Sequence, residues 1–222
     1  AYGAPVTVNL TFGGTATLTS DYTRSANSIS ISAGNTTNSI VLTNVPDALF
    51  EGNETVVVDI SSVTNGTESG TQQATYTITD DDTQPTATLE LATSAGGPFT
   101  GITAANITDE SGGQLYVVAK LSAASGLSTT VPITFSGSAT GGGTDYSISA
   151  SSISIPAGQT TATATLTSAF DGVEEGNETI VVDMGTPTNA TESGTQQVTA
   201  TIVDEDAVAP TVTSVSVPVS YT

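Results

Sequence analysis

The chain has 222 residues, of which 22 are acidic and two, Arg24 and Lys120, are basic, so its formal net charge is -20. This charge excludes nucleic-acid binding, which requires basic side chains to displace counterions from phosphates, and it opposes contact with anionic lipid surfaces. The absence of His, Cys and Trp excludes imidazole and thiolate zinc sites, disulfide bonds and histidine-assisted nucleophilic catalysis.

Apolar residues recur at every second position along the chain, which is the period of half-buried β-strands. Turn signals such as Gly13-Gly14 and Asn65-Gly66 separate these stretches every 8–14 residues, and no window favours a helix. The spacing predicts short antiparallel strands in an all-β fold of immunoglobulin-like β-sandwiches. In chain order, the alternating stretches are 6–12, 29–31, 40–42, 74–79, 131–135, 153–155 and 164–166, and residues 55–60 are a further predicted strand.

A tandem repeat is the strongest signal in the chain. When the sequence is shifted by 124 residues, positions 21–82 align with 145–206 without a gap, and 37 of these 62 positions are identical. Glu-Gly-Asn-Glu-Thr occurs at 51–55 and again at 175–179. Two copies of one module therefore predict two domains.

The repeat also predicts the domain boundaries. Residues 1–84 form the first copy, which lacks a counterpart of residues 85–124 and thus its first strand, and residues 85–208 form the second copy. The segment 209–222 contains Pro210-Thr-Val-Thr, which is similar to Pro85-Thr-Ala-Thr at the start of copy two. We expect this segment to be the first strand of a following repeat in a longer array, or a strand donated to a neighbouring subunit.

Carboxylates cluster at the ends of the predicted strands in both copies. In an antiparallel sandwich these ends can meet at one pole, where two basic residues cannot neutralise them, so their repulsion favours a bound cation. Calcium accepts six to eight oxygen ligands in irregular geometry, whereas magnesium requires a stricter octahedron, so Ca²⁺ is the predicted ion. Solvated loop charge is the alternative interpretation, but the recurrence of the positions in both copies favours the ion.

At these motifs the sequence resembles the Calx-β domain family, calcium-binding repeats named after the sodium–calcium exchanger and common in bacterial surface proteins. Copy two carries Gly143-Thr-Asp-Tyr146, then Ile153 to Gln159, Asp171 to Thr179 and Ile202 to Asp206. Copy one carries Ser20-Asp-Tyr22 and the matching later motifs. The resemblance covers about 190 of the 222 residues and implies the Calx-β type of sandwich.

The resemblance implies two sets of calcium ligands. In copy one they are Asp21, Asp47, Glu51, Glu54, Asp80, Asp81 and Asp82, and in copy two they are Glu110, Asp145, Asp171, Glu175, Glu178, Asp204, Glu205 and Asp206. Two departures from the family pattern are Pro46 and Phe170, where exchanger repeats often have an additional Asp. Copy one also has no counterpart of Glu110, so we expect fewer ions than in the fullest family sites and a weaker site in copy one.

These observations predict a calcium-binding structural or adhesive segment of an extracellular cell-surface protein, in which Ca²⁺ stiffens the junctions between repeats. Its expected partners are neighbouring repeats or subunits and a surface or glycan target, without nucleic acid and without membrane insertion. The first alternative is a subunit that assembles head-to-tail into a filament through residues 209–222. Catalysis by paired carboxylates and a carbohydrate-binding module are weaker alternatives, because only 5% of the residues are aromatic.

Overall fold

The computed structural model describes residues 3–170, 172, 173, 175–204 and 214. All regular elements in these ranges are β-strands, which confirms the all-β prediction. The chain divides into unit 1, residues 1–84 and 124–127, and unit 2, residues 85–123 and 128–222. Among the described residues, no helix is long and apolar enough to cross a membrane.

Unit 1 contains six strands that pair antiparallel. They form a four-stranded sheet in the order β3-β1-β5-β6 and a separate pair of β2 and β4. Their bounds are β1 (Val6–Gly14), β2 (Tyr22–Arg24), β3 (Ser28–Ile31), β4 (Leu42–Asn44), β5 (Glu54–Thr64) and β6 (Gln73–Ile78).

The described residues of unit 2 form ten strands in two five-stranded sheets, one in the order β12-β10-β14-β16-β8 and the other in the order β11-β13-β9-β7-β15. The bounds of the first five are β7 (Thr86–Ala92), β8 (Ala104–Ile107), β9 (Gln114–Leu121), β10 (Thr129–Gly137) and β11 (Tyr146–Ile148). The others are β12 (Ser152–Ile155), β13 (Thr161–Ser168), β14 (Glu178–Met184), β15 (Thr191–Glu192) and β16 (Gln197–Ile202).

The two units repeat the same strand pairings. In unit 1 Val8 lies opposite Ile29, and in unit 2 Val131 lies opposite Ile153. Strands β1 to β6 therefore correspond to β10, β11, β12, β13, β14 and β16. Among the described residues of unit 1, β7, β8 and β9 have no counterpart.

The additional strands of unit 2 change how deeply its apolar side chains are buried. Unit 2 has a closed core in which the facing apolar side chains of both sheets, including those of β7 and β9, are almost fully buried. In unit 1, Val56 is the one apolar strand residue besides Tyr22 that reaches the same burial among the described residues. The alternation at 74–79 predicts an inward-facing Ala74 and Tyr76, yet both are exposed, because the described part of unit 1 has no counterpart of β7 and β9 to complete the cover over β6.

One glycine in each unit permits the close approach of two strands beside the acidic loops. Gly14 and Gly137 have φ angles of 104° and 120°. A Cβ atom at either position would lie 2.1 Å from the carbonyl oxygen of Thr55 or Thr179, respectively. Because a side chain would collide there, only glycine allows β1 and β10 to reach the start of β5 and β14.

Candidate metal centre

Three carboxylates of unit 1 converge at one end of the sheets. Asp21 immediately precedes β2, Glu51 lies in the loop between β4 and β5, and Glu54 is the first residue of β5. Each contributes one carboxylate oxygen to a group whose atoms all lie within 4.8 Å of one another. Asp21 is buried, and the two glutamates are half-buried. The group therefore concentrates three formal negative charges partly away from water.

Hydrogen bonds from the backbone hold Asp21 in this position. Asp21 and Thr17 are joined by two hydrogen bonds that close a turn. The Asp21 carboxylate accepts the Thr17 N–H, and the Asp21 N–H donates to the Thr17 carbonyl oxygen at 3.0 Å. The Asp21 carbonyl accepts the Val45 N–H at 2.9 Å, and the adjacent Tyr22 is buried. The aspartate is thus held between two loops by backbone hydrogen bonds.

Asp80 organises the loop that carries Glu51. One of its carboxylate oxygens accepts the N–H groups of Glu51 and Gly52 at 2.8 and 2.6 Å, and the other accepts the Asp82 N–H at 2.9 Å. The Asp80 N–H in turn donates to the side-chain oxygen of Asn53 at 3.1 Å. The end of β6 and the loop before β5 are thereby joined through one carboxylate.

All seven acidic residues that the sequence predicts as ligands in copy one line a single pocket of unit 1 with a volume of about 400 Å³. Asn44, Pro46 and Gly52 contribute to its walls. The predicted convergence of strand ends at one pole therefore occurs in this unit. Their role as ligands stays a prediction. The acidic residues of this pocket are Asp21, Asp47, Glu51, Glu54, Asp80, Asp81 and Asp82.

The glutamates of the pocket hold protons more tightly than usual. Burial raises the pKa of Glu54 to about 7, helped by a hydrogen bond with Asp21 and by the charges of Asp21, Glu51 and Asp47. Burial also raises the pKa of Glu51, and the charges of Asp47 and Asp21 add to the effect. Without a cation, the cluster reduces its repulsion by retaining protons near neutral pH.

Among the three aspartates that follow β6, the pKa values of Asp80 and Asp82 shift in opposite directions. Desolvation, followed by the charges of Asp81 and Asp80, raises the pKa of Asp82. Desolvation also acts to raise the pKa of Asp80, but hydrogen bonds from the backbone of Asp82, Gly52 and Glu51 outweigh it and lower the pKa. Asp80 therefore stays ionised over a wider pH range than Asp82.

Unit 2 repeats the three-carboxylate group at the equivalent positions. Asp145, Glu175 and Glu178 each place a carboxylate oxygen within 4.8 Å of the other two. Asp145 is buried, as Asp21 is, while Glu178 is half-buried and Glu175 is exposed. The surrounding hydrogen bonds also recur, since Asp145 accepts the Thr140 N–H and Asp204 accepts the Gly176 N–H.

The other predicted ligands of copy two are placed differently. Glu110 lies in the turn between β8 and β9, and Asp204 follows β16. Neither belongs to the three-carboxylate group found among the described residues. The positions of Asp171, Glu205 and Asp206 lie outside the described residues, so the ligand prediction for these three is not addressed by the structure.

Two asparagines also belong to the site, in addition to the acidic residues predicted from the sequence. Asn53 accepts the Asp80 N–H, and Asn177 accepts the Asp204 N–H at 3.2 Å. They occupy the same place in the repeated Glu-Gly-Asn-Glu-Thr motif. This recurrence in the sequence is the signal that could have identified them as part of the site. Each asparagine links the acidic loop to the end of the last strand of its sandwich.

The chemistry of the donor set fits a hard divalent cation. The converging groups are carboxylate oxygens, and the chain contains no His or Cys that could select a softer metal. A calcium ion bound by the glutamates and Asp21 would supply the positive charge that these groups lack, and it accepts several oxygen ligands in irregular geometry.

Comparison with solved structures aligns the chain with several proteins at low sequence identity. The chain aligns with the "crystal structure of CBD12 from CALX1.2" at 14% identity and a TM-score of 0.43, covering 92% of this chain and 89% of that one. The "calcium binding domain CBD12 of CALX1.1" aligns at 14% identity and a TM-score of 0.37, over 91% of this chain and 88% of that chain. The "apo-form Calx CBD1 domain" aligns at 15% identity and a TM-score of 0.38, over 55% and 99%.

A family model decides the relationship. No curated protein matches the chain. The model of the Calx-beta domain, however, matches residues 2–82 and 102–206, which together make up most of the sequence and contain both three-carboxylate groups. The resemblance noted at the sequence motifs is confirmed, and the chain belongs to the Calx-beta domain family, a family of calcium-binding domains.

Proposed function

We propose that this chain is a calcium-binding structural or adhesive repeat segment of an extracellular cell-surface protein, and that it catalyses no reaction. The observation that carries the proposal is the recurrence of one buried aspartate and two glutamates, with oxygens within 4.8 Å, at equivalent positions of both units. Loop charges that served only solubility would have no reason to converge twice in the same geometry. The scarcity of basic residues, two in the chain, leaves a cation as the natural counter-charge.

The proposed role of calcium is mechanical. Asp80, Asp81 and Asp82 line the acidic pocket of unit 1, and the last of them stands three residues before Pro85, where unit 2 begins. An ion bound by these residues would order the end of unit 1 and restrict the connecting backbone. A restricted connection supports a stiff array, which suits a stalk that presents an adhesive surface away from a cell.

Thermal unfolding tests the calcium proposal. We expect the midpoint to rise by several degrees in about 1 mM CaCl₂ relative to EDTA, because a site with Kd near 10 μM adds roughly 2.7 kcal/mol at that concentration. The same concentration of MgCl₂ should give a much smaller rise. An identical midpoint in CaCl₂ and EDTA would show that the carboxylates are solvated charge.

Matched variants locate the ions. Glu54→Gln and Glu178→Gln each remove one charge from a three-carboxylate group, so each should weaken calcium binding in its own unit at least tenfold by isothermal titration. Glu68→Gln, in the segment before β6, and Glu192→Gln, at the end of β15, each remove one charge outside the three-carboxylate groups, and a glutamine there can still accept the N–H of residue 72 or 196. These controls should bind calcium as the unaltered chain does.

The mechanical role has its own readout. Small-angle scattering should show a narrower distribution of overall dimensions in CaCl₂ than in EDTA. Asp80→Asn, which alters the pocket before the junction, should abolish this change, whereas Glu178→Gln in unit 2 should retain it. If calcium binds but leaves the distribution unchanged, the ion stabilises the units without stiffening their connection.

Assembly through strand donation is a second candidate function. The observation that favours it is the uncovered apolar side of unit 1, where Ala74 and Tyr76 of β6 are exposed. The equivalent residues of unit 2, Val198 and Ala200, are buried. The partner in either function is a neighbouring repeat or subunit of the same protein.

A further inference from the structure

Unit 1 carries an open apolar groove with a volume of about 410 Å³ between its two sheets. Its apolar lining comes from β1, β3, β4, β5, β6 and the segment before β4. We propose that this groove binds residues 214–221 of a second copy of the chain as an added strand. The apolar residues that line it are Leu10, Ile29, Ile40, Leu42, Val58, Ile60 and Ala74.

Unit 2 shows what covers this position when the sandwich is complete. There, β9 pairs antiparallel with β13, and its Leu115 and Val117 lie opposite Leu166 and Ala164. Four alternate residues of β9, Leu115, Val117, Ala119 and Leu121, are buried in the core. The counterpart of β13 is β4, which pairs with β2 and has no other strand beside it among the described residues. The groove of unit 1 is thus the place of a β9-like strand.

The segment 214–221 has the alternation of β9. Its sequence is Ser-Val-Ser-Val-Pro-Val-Ser-Tyr. A shift of 100 residues places its apolar members on these four alternate positions of β9 and its serines on positions 114, 116 and 120. These apolar members are Val215, Val217, Val219 and Tyr221. A β7-like alignment, by contrast, would place Ser214 and Ser216 on the buried Leu89 and Leu91, so the β9 register buries more apolar surface.

The proline of the segment fits the same register. In β9, the Leu121 N–H donates to Thr160 on the β13 side, and the Ser122 N–H donates to Thr86 on the β7 side. Because N–H groups alternate along a strand, that of Val118 points toward β7. Pro218 falls on Val118, so its missing N–H lies on the outer edge, where no strand of unit 1 needs it. Proline is tolerated on edge strands in this orientation.

Charge also favours this occupant. Residues 207–222 contain no Asp, Glu, Lys or Arg, although the chain carries a net charge of -20. Two copies of such a chain repel each other, and an uncharged strand adds nothing to that repulsion. Each copy then has one donor segment and one groove, so the contact is heterologous and extends head-to-tail into a filament.

Sedimentation velocity of the full chain in EDTA tests the proposal separately from calcium binding. We expect the average mass to increase with concentration between about 1 μM and 1 mM. Val217→Asp places a charge toward the groove and should lower the association constant at least tenfold. Ser216→Asp places the same charge one residue away on the opposite face and should change it less than about threefold, as expected for a surface substitution.

The acceptor is tested by a complementary pair. Ala74→Glu puts a charge into the groove at an exposed position, while the control Thr75→Glu points to the other side of β6. A mixture of Ala74→Glu, which keeps its donor, and Val217→Asp, which keeps its groove, should form dimers that grow no further. Either variant alone should stay monomeric.

Three results would overturn the inference. The first is a chain that stays monomeric at about 1 mM, and the second is an equal effect of Val217→Asp and Ser216→Asp. The third is that residues 214–221 stabilise unit 1 to the same extent at every protein concentration, which would mean that the segment binds within its own chain. The donor variants decide the matter even if Ala74→Glu fails to fold, because they lie outside unit 1.

Discussion

Unit 1 and unit 2 are built from similar, repeated strand sequences but bury them differently. Ile155 on β12 is fully buried, whereas the equivalent Ile31 on β3 is half-buried, and Val198 is buried where Ala74 is exposed. The strand pairings are nonetheless the same in both units. Pairing is therefore a property of the repeated strands, while burial depends on β7 and β9, which have no counterpart in the part of unit 1 that the structure describes.

The acidic sites of the two units are also similar, although their cores differ. The three-carboxylate groups form in both units, although one sandwich is closed and the other is open. The acidic residues stand at strand ends and in loops held by local hydrogen bonds, so they do not require the second sheet. The site and the core are separable parts of this module.

Core truncation should reveal the largest difference between the units. Leu166→Ala in unit 2 removes a fully buried side chain and should lower the free energy of unfolding of that unit by about 2–5 kcal/mol. The equivalent Leu42→Ala in unit 1 should cost about 1 kcal/mol, because Leu42 is only half-buried. Hydrogen exchange, measured for the strands of each unit, reports both values. Equal losses would mean that the groove of unit 1 is filled in solution.

Substitution of the paired glycines should instead affect both units alike. Gly14→Ala and Gly137→Ala each place a Cβ against a carbonyl oxygen at a positive φ, so each should destabilise its unit by about 2 kcal/mol or more. Gly13→Ala is the matched control, since a Cβ there meets nothing within 4 Å. Urea unfolding monitored by hydrogen exchange gives the comparison. A large cost in one unit alone would contradict the local origin of this contact.

The pH dependence of unit 1 should follow Glu54. The folded-state pKa of about 7 lies above the ordinary 4.5, so the folded unit binds more protons than the unfolded chain between these values. In EDTA, the contribution of Glu54 to the free energy of unfolding should be greatest below pH 4.5. It should fall as the pH rises toward 7. We expect a loss below about 2 kcal/mol, because solvent screens a partly exposed carboxyl group.

The matched variant for this titration is Glu54→Gln, which should flatten the pH dependence of unit 1 between pH 4.5 and 7. In the unaltered chain, calcium should bind more weakly at pH 6 than at pH 8, with release of protons, because Glu54 must ionise to bind it. Calorimetry in buffers of different ionisation enthalpy measures the protons released. Calcium binding without proton release at pH 6 would exclude Glu54 as a ligand.

The smallest effects should come from the two asparagines. Asn53→Ala and Asn177→Ala each remove the acceptor of one N–H group, that of Asp80 or Asp204. The expected cost is about 1 kcal/mol in each unit, with a modest loss of calcium affinity measured by titration. Thr75→Val, on the outer side of β6, should change neither quantity. A strong effect of Thr75→Val would mean that the exposed side of this sheet takes part in binding.

Much of the site could be predicted because its residues recur. The shift of 124 residues pairs Asp21, Glu51 and Glu54 with Asp145, Glu175 and Glu178, and these are the groups that converge in each unit. The position of Glu110 shows the limit of this reasoning. It lies in a turn outside the group, and a family motif carries no information on how closely its side chain approaches the others.

The sequence by itself determined the strand periodicity, the duplication and the family, because alternation and motif spacing are local properties that survive in any context. Only the tertiary structure decided which alternating positions are buried. Ala74 and Val198 have the same place in the repeat, but one is exposed and the other is buried. The physical reason is that burial requires a second surface, and in unit 2 that surface is supplied by strands distant in sequence.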